Sequence, residues 1–245
     1  MAELFEGPRG ASADRVMLTG VDGAKVEASY ASPDDGAVIA GIVVHPDIMG
    51  VRPLFDDLCR RLATHGYAVC APEPFARAPD DIRNADEPGA RMAFVPNLDD
   101  DLQMGDLVRA GELLAKRDAA DRLFVIGFCM GGMQTLKAAA TGGFQRAVAF
   151  YGMIRVPDQW RGPKLREPLA TAKEVCPTLA IFGGIDAWTP EADINALRRC
   201  WNSRPDCEVV VYPEADHGFV HAPERPVHRP DDAADAWQRT LRFLA

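Results

Sequence analysis

Along this chain, short continuous apolar runs alternate with stretches in which apolar residues return every three or four positions. The first pattern predicts strands covered on both faces and the second amphipathic helices. A Val/Ile run over 37–44 and apolar runs over 67–71, 123–128, 147–151, 178–182 and 208–212 each predict a strand. Leu54, Leu58 and Leu62 recur every four positions with Arg60 and Arg61 opposite, which predicts a helix over 53–65 stopped at Gly66. Further helices are predicted over 133–140, 190–201 and 231–244, and over 98–116 with Asn97 as N-cap and acids in the first turn. Ahead of these, residues 16–18 and 26–29 alternate around Asp22-Gly23, a hairpin signal. Strands alternating with helices imply an α/β fold with a mostly parallel sheet and helices on both faces.

The 74–96 stretch shows no clear period and predicts a lid or binding loop, or else disorder, and 152–173 predicts a second polar loop. With 245 residues and 47% hydrophobic content, one domain over residues 1–245 is expected. A net charge of −9 argues against a nucleic-acid footprint, which would need clustered Lys and Arg. Neither a basic leader followed by an apolar run nor a membrane-length apolar stretch is visible, so a soluble cytoplasmic protein is predicted, monomeric or a small homo-oligomer. The six cysteines form no C-x-x-C pair. Reduced thiols follow, five of them as core fillers.

The sixth, Cys129, sits in Gly127-Phe128-Cys129-Met130-Gly131-Gly132, directly after an apolar strand and before a predicted helix. Gly-x-Cys-x-Gly at such a corner is a nucleophile elbow: the tight turn exposes the central residue, and the flanking positions need glycine so that neighbouring backbone can approach. A helix N-terminus also favours a thiolate. A thiol nucleophile needs a base, and the base needs an acid to orient it. Asp186 follows a strand through Gly183-Gly184, and His217 follows the last strand, so nucleophile, acid and histidine come in the order of α/β-hydrolases. Asp216 is the rival acid, though adjacent side chains diverge. An oxyanion would be held by the N–H groups of Met130 and of Ile48, on the loop after the 37–44 strand.

With Gly183-Gly184-Ile185-Asp186 and Ala215-Asp216-His217-Gly218-Phe219 added to the elbow, the chain resembles the dienelactone hydrolase family. These carboxymethylenebutenolidases have an α/β-hydrolase fold and open unsaturated lactones during breakdown of aromatic compounds. The resemblance spans residues 37–244. It implies a small ester or lactone as substrate, an acyl-enzyme on Cys129, and no metal or other cofactor. It also implies that Asp47, at the position of a family glutamate, takes the thiol proton. The substrate carboxylate would be clamped by Arg77 and by His221, the latter standing where the family has a second arginine. Four other readings compete: a carboxylesterase for neutral esters, a glutamine amidotransferase-like protein, a metalloenzyme using Asp216, His217 and His221, and a non-catalytic binding protein. The amidotransferase pattern wants an acid where this chain has Phe219, and Gly218 and Pro223 break the helix that metal-ligand spacing would need.

Overall fold

A computed structural model describes residues 4–245. Eight strands form one sheet: β1 (Ala11–Thr19), β2 (Lys25–Pro33), β3 (Ala40–His45), β4 (Tyr67–Pro72), β5 (Leu123–Phe128), β6 (Arg146–Phe150), β7 (Thr178–Gly183) and β8 (Cys207–Tyr212). Their order is β1-β2-β4-β3-β5-β6-β7-β8. The first hairpin pairs antiparallel within itself and onto β4, and every other pairing is parallel. This is the α/β-hydrolase fold. Its consequence for chemistry is simple, because β3, β5, β6, β7 and β8 all end at one edge, where crevices form in such sheets.

The described residues form seven helices: α1 (Pro53–Thr64), α2 (Asp80–Arg83), α3 (Pro88–Phe94), α4 (Asp100–Asp118), α5 (Met130–Ala138), α6 (Glu191–Cys200) and α7 (Pro230–Leu244). The leucine stripe of α1 is buried as its spacing predicts, together with Phe55 and Cys59. Each such leucine removed from water contributes about 2 kcal/mol. Strand β5 shows why a parallel strand reads as a continuous apolar run. Phe124, Ile126 and Phe128 belong to the core layer that includes α1 and α7, whereas Val125 belongs to the layer on the other face, with α4 and α6.

Three local expectations change. The hairpin ladder runs nine residues on each strand, from the Ala11–Pro33 pair to Thr19–Lys25, because backbone pairing continues through residues without an apolar pattern. Asp99, not Asn97, caps α4: its side chain accepts the Asp101 N–H at 3.0 Å, while Val95–Asn97 closes a 3-10 turn. The 74–96 stretch is not irregular but carries α2 and α3, and the 152–173 stretch holds two 3-10 turns, Asp158–Trp160 and Pro168–Thr171. Among the described residues no helix is long and apolar enough to cross a membrane.

Aromatic rings support the active edge of the sheet from below. Phe128, the residue before Cys129, stacks on Phe150 at 4.8 Å, and Trp237 of α7 leans on both at 5.9 and 5.0 Å. Trp237 is fully buried. Replacing it with alanine (Trp237→Ala) is expected to cost about 3–5 kcal/mol, read as a lower urea midpoint with an unchanged slope.

Candidate active site

Cys129 has φ 57° and ψ −120°, a conformation that non-glycine residues rarely adopt and that costs of order 1–3 kcal/mol. Hydrogen bonds and packing hold it there. Its N–H donates to the Phe150 carbonyl at 3.1 Å and its carbonyl accepts from Met133 at 3.0 Å. The flanking glycines are required by close approach: a Cβ on Gly127 would lie 2.1 Å from the Gly131 carbonyl oxygen, and one on Gly131 would lie 2.1 Å from that of His45. Cys129 is thereby half-exposed at the N-terminus of α5. The remaining cysteines are free as well, and burial pushes the thiols of Cys59 up to about 12 and Cys176 up to about 11, which keeps them protonated.

Asp186 and His217 meet across the loops after β7 and β8. The ring Nδ1 lies 2.8 Å from Asp186 Oδ2, and Asp186 also accepts from the Trp188 N–H at 2.8 Å and the Thr189 hydroxyl at 3.0 Å. Asp216 instead accepts the His217 backbone N–H at 2.6 Å, so its carboxylate does not orient the ring. Nε2 of His217 is buried and finds no oxygen or nitrogen partner among the described residues. Burial alone would lower the imidazole pKa, but the charge of Cys129 and the bond to Asp186 outweigh it and push it up to about 10. Charge and the hydrogen bond to Asp186 win over burial, and together they favour the imidazolium.

A cavity of about 260 Å³ opens on this group, lined by Cys129 and His217 with Asp47, Ile48, Met49, Arg52, Pro88, Met92, Trp160, Trp188, His221 and Arg225. Ile48 lies in the wall and Met130 begins α5, where a first-turn N–H has no partner within the helix. Asp47 is saturated. It accepts two bonds from Arg52 (2.6 and 2.9 Å), one from the Met49 N–H (2.9 Å) and one from His221 Nε2 (2.7 Å). Burial would raise its pKa, yet His221 and Arg52 hold it well below the usual carboxylate range. A carboxylate with all four acceptor positions taken is a poor base for Cys129.

Two expected substrate ligands are placed differently from the sequence reading. Arg77 is not in this cavity: its guanidinium is held by Asp22 (2.8 Å) and Asp106 (2.6 Å), carboxylates from the hairpin turn and from α4. His221 does line the cavity, but Asp47 occupies one ring nitrogen and the Tyr151 hydroxyl the other, leaving no donor for a carboxylate. Residues the sequence reading missed are Arg52, Trp160 and Trp188, and Arg225 also lines the cavity. Arg225 is exposed at the cavity, and among the described residues its side chain has no ion pair or hydrogen bond. A tryptophan two residues past the acid was the one legible signal. The indoles of Trp160 and Trp188 lie 5.2 Å apart and form one wall.

A strained cysteine at a strand-to-helix turn, with an Asp–His pair delivered by the next strand ends, defines an α/β-hydrolase carrying a cysteine elbow. The chain belongs to the dienelactone hydrolase family, whose sequence profile matches residues 26–245. It is 34% identical to a Salmonella typhimurium protein named "Putative carboxymethylenebutenolidase", over 99% of this chain and 90% of that one. It is 31% identical to a Rhodococcus opacus carboxymethylenebutenolidase, over 88% and 84%. The crystal structure of a "Putative Dienelactone Hydrolase" from Klebsiella pneumoniae superimposes with a TM-score of 0.86 at 30% identity, covering 96% of this chain and 98% of that chain.

The raised His217 pKa gives a direct check. Its ring should remain protonated as pH rises past 7 and lose the proton only near 10. Alkylating Cys129 removes the thiolate charge, so the transition followed by NMR should then move down toward the ordinary histidine range.

Proposed function

We propose that this chain is a carboxylic ester hydrolase that cleaves a small ester or lactone through Cys129, His217 and Asp186. The observation that carries the reading is the His217–Asp186 hydrogen bond facing the same cavity as a cysteine in elbow conformation. The names of the relatives point the same way.

In this mechanism the Cys129 proton resides on Nε2 of His217 before substrate reacts, and the sulfur attacks the carbonyl carbon. The N–H groups of Met130 and Ile48 hold the oxygen as it becomes negative. As the tetrahedral species collapses, His217 gives the proton to the departing oxygen and a thioester on Cys129 remains. Water, deprotonated by His217, attacks that thioester; the acid leaves and the thiol is restored. Asp186 keeps Nδ1 protonated throughout, so that Nε2 is free to move protons. We assign proton removal to His217 and not to Asp47, because the oxygens of Asp47 are already committed to Arg52, Met49 and His221.

The cavity walls suit a small planar acyl group: two indoles, Ile48, Met49 and Met92 surround the sulfur. An anionic substituent would be met by Arg225, the cation at this cavity whose guanidinium has no ion pair or hydrogen bond among the described residues. A neutral-ester preference is the second reading, and the same arginine separates the two.

Exchanging the nucleophile (Cys129→Ala) should lower kcat/KM for dienelactone or an activated ester by at least 10³-fold, with folding intact by circular dichroism. Turnover at the native rate would refute the thiol mechanism. In Arg225→Ala, KM for a carboxylate-bearing ester should rise about tenfold or more, while a neutral p-nitrophenyl ester is little affected. Equal effects on both substrates would favour the neutral-ester reading.

A further inference from the structure

Beside the Asp186–His217–Cys129 group lies a second arrangement of the same form. Asp47 holds His221 through Nε2 at 2.7 Å, and the other nitrogen of His221 meets the Tyr151 hydroxyl. The components are almost wholly buried, with Tyr151 fully buried, His221 1% exposed and Asp47 6% exposed. Because ionised Asp47 can only accept, the His221 proton must sit on Nε2, and Nδ1 must therefore accept from Tyr151. The phenol proton is thus drawn toward His221 and the oxygen is left richer in electron density. Burial lowers the pKa of His221 and raises that of Tyr151 well above its usual value, so both stay neutral.

Tyr151 is built tightly into the elbow. Its φ is 39°, again unusual for a side-chain-bearing residue, and its N–H donates to the Ile181 carbonyl at 2.6 Å. The residue before it, Phe150, accepts the Cys129 N–H. The Tyr151 ring meets the His217 ring edge-on at 5.2 Å and stacks on His221 at 5.7 Å. Phe128 and Phe55 close the far side of His221 at 4.9 and 5.9 Å. Arg52 neutralises Asp47, and Arg225 also acts electrostatically on His221 and Tyr151.

Resting on the assignment of Cys129 as nucleophile, we propose that Asp47, His221 and Tyr151 form a second relay that polarises the Tyr151 hydroxyl and makes Tyr151 a positioning residue for the Cys129–His217 pair. The electron-rich phenol oxygen favours the imidazolium that His217 becomes on taking the thiol proton, and the anchored ring fixes the imidazole against Asp186. Asp47 thereby influences the sulfur through two intermediaries instead of taking its proton. Tyr151 is not among the residues that line the cavity and has no role as a substrate ligand.

The test measures the pH dependence of Cys129 alkylation by iodoacetamide, followed on the Cys129 peptide by mass spectrometry, together with kcat and KM. The proteins compared are the wild type, Tyr151→Phe, His221→Leu and His221→Gln. Glutamine can donate to Asp47 and accept from Tyr151 as the neutral imidazole does; leucine can do neither. Expected for Tyr151→Phe and His221→Leu is an at least fivefold slower alkylation at pH 7, the thiolate forming at higher pH, and an at least fivefold lower kcat with KM within twofold. His221→Gln should recover most of the rate lost in His221→Leu. A wild-type alkylation profile in Tyr151→Phe, or a His221→Gln enzyme as impaired as His221→Leu, would overturn the relay. Full hydrolysis by Cys129→Ala would instead overturn the hydrolase mechanism, since the alkylation profiles report on the relay without reference to turnover.

Discussion

The site depends on a backbone conformation at Cys129 that the residue would not choose by itself. Its cost, of order 1–3 kcal/mol, is small beside the cooperative stability of the sheet that imposes it. β5 ends between β3 and β6, so the turn must rise at the sheet edge with His45 backbone on one side and Phe150 backbone on the other. Glycines at 127 and 131 permit that approach. Everything else in the cavity is arranged around where the sulfur then stands.

Two buried histidines show how environment divides one residue type into two roles. Burial lowers the pKa of both. For His217 the charge of Cys129 and the bond to Asp186 reverse the effect, whereas for His221 the pull of Asp47 is weakened by the nearby Arg52 and Arg225, and burial prevails. The first imidazole is suited to carry a proton and the second to remain neutral and transmit polarity. Asp47 and Asp186 likewise differ by partners: one is saturated by Arg52, Met49 and His221, the other by Trp188, Thr189 and His217.

Much of the scaffold was readable because it follows local rules. Parallel strands are covered on both faces and so become apolar runs, and α1 shows its buried stripe at helical spacing. The hairpin ends and the α4 cap were less readable, since backbone ladders extend through unpatterned residues and the 3-10 turn at Val95–Asn97 displaces the helix start. Arg77 illustrates a deeper limit. It lies 55 residues from Asp22 and 29 from Asp106, and no local pattern announces that both carboxylates converge on it.

By itself the sequence determined the alternation of strands and helices, the elbow motif, and the chain order of Cys129, Asp186 and His217, because these reside in spacing along the chain. Tertiary structure alone decided that Asp186 and not Asp216 meets the ring, that Asp47 and His221 are committed to each other, and that Trp160, Trp188 and Arg225 line the same cavity as Cys129. Hydrogen-bond commitment and burial are properties of groups brought together from distant segments, and they exist only once the sheet has aligned its strand ends.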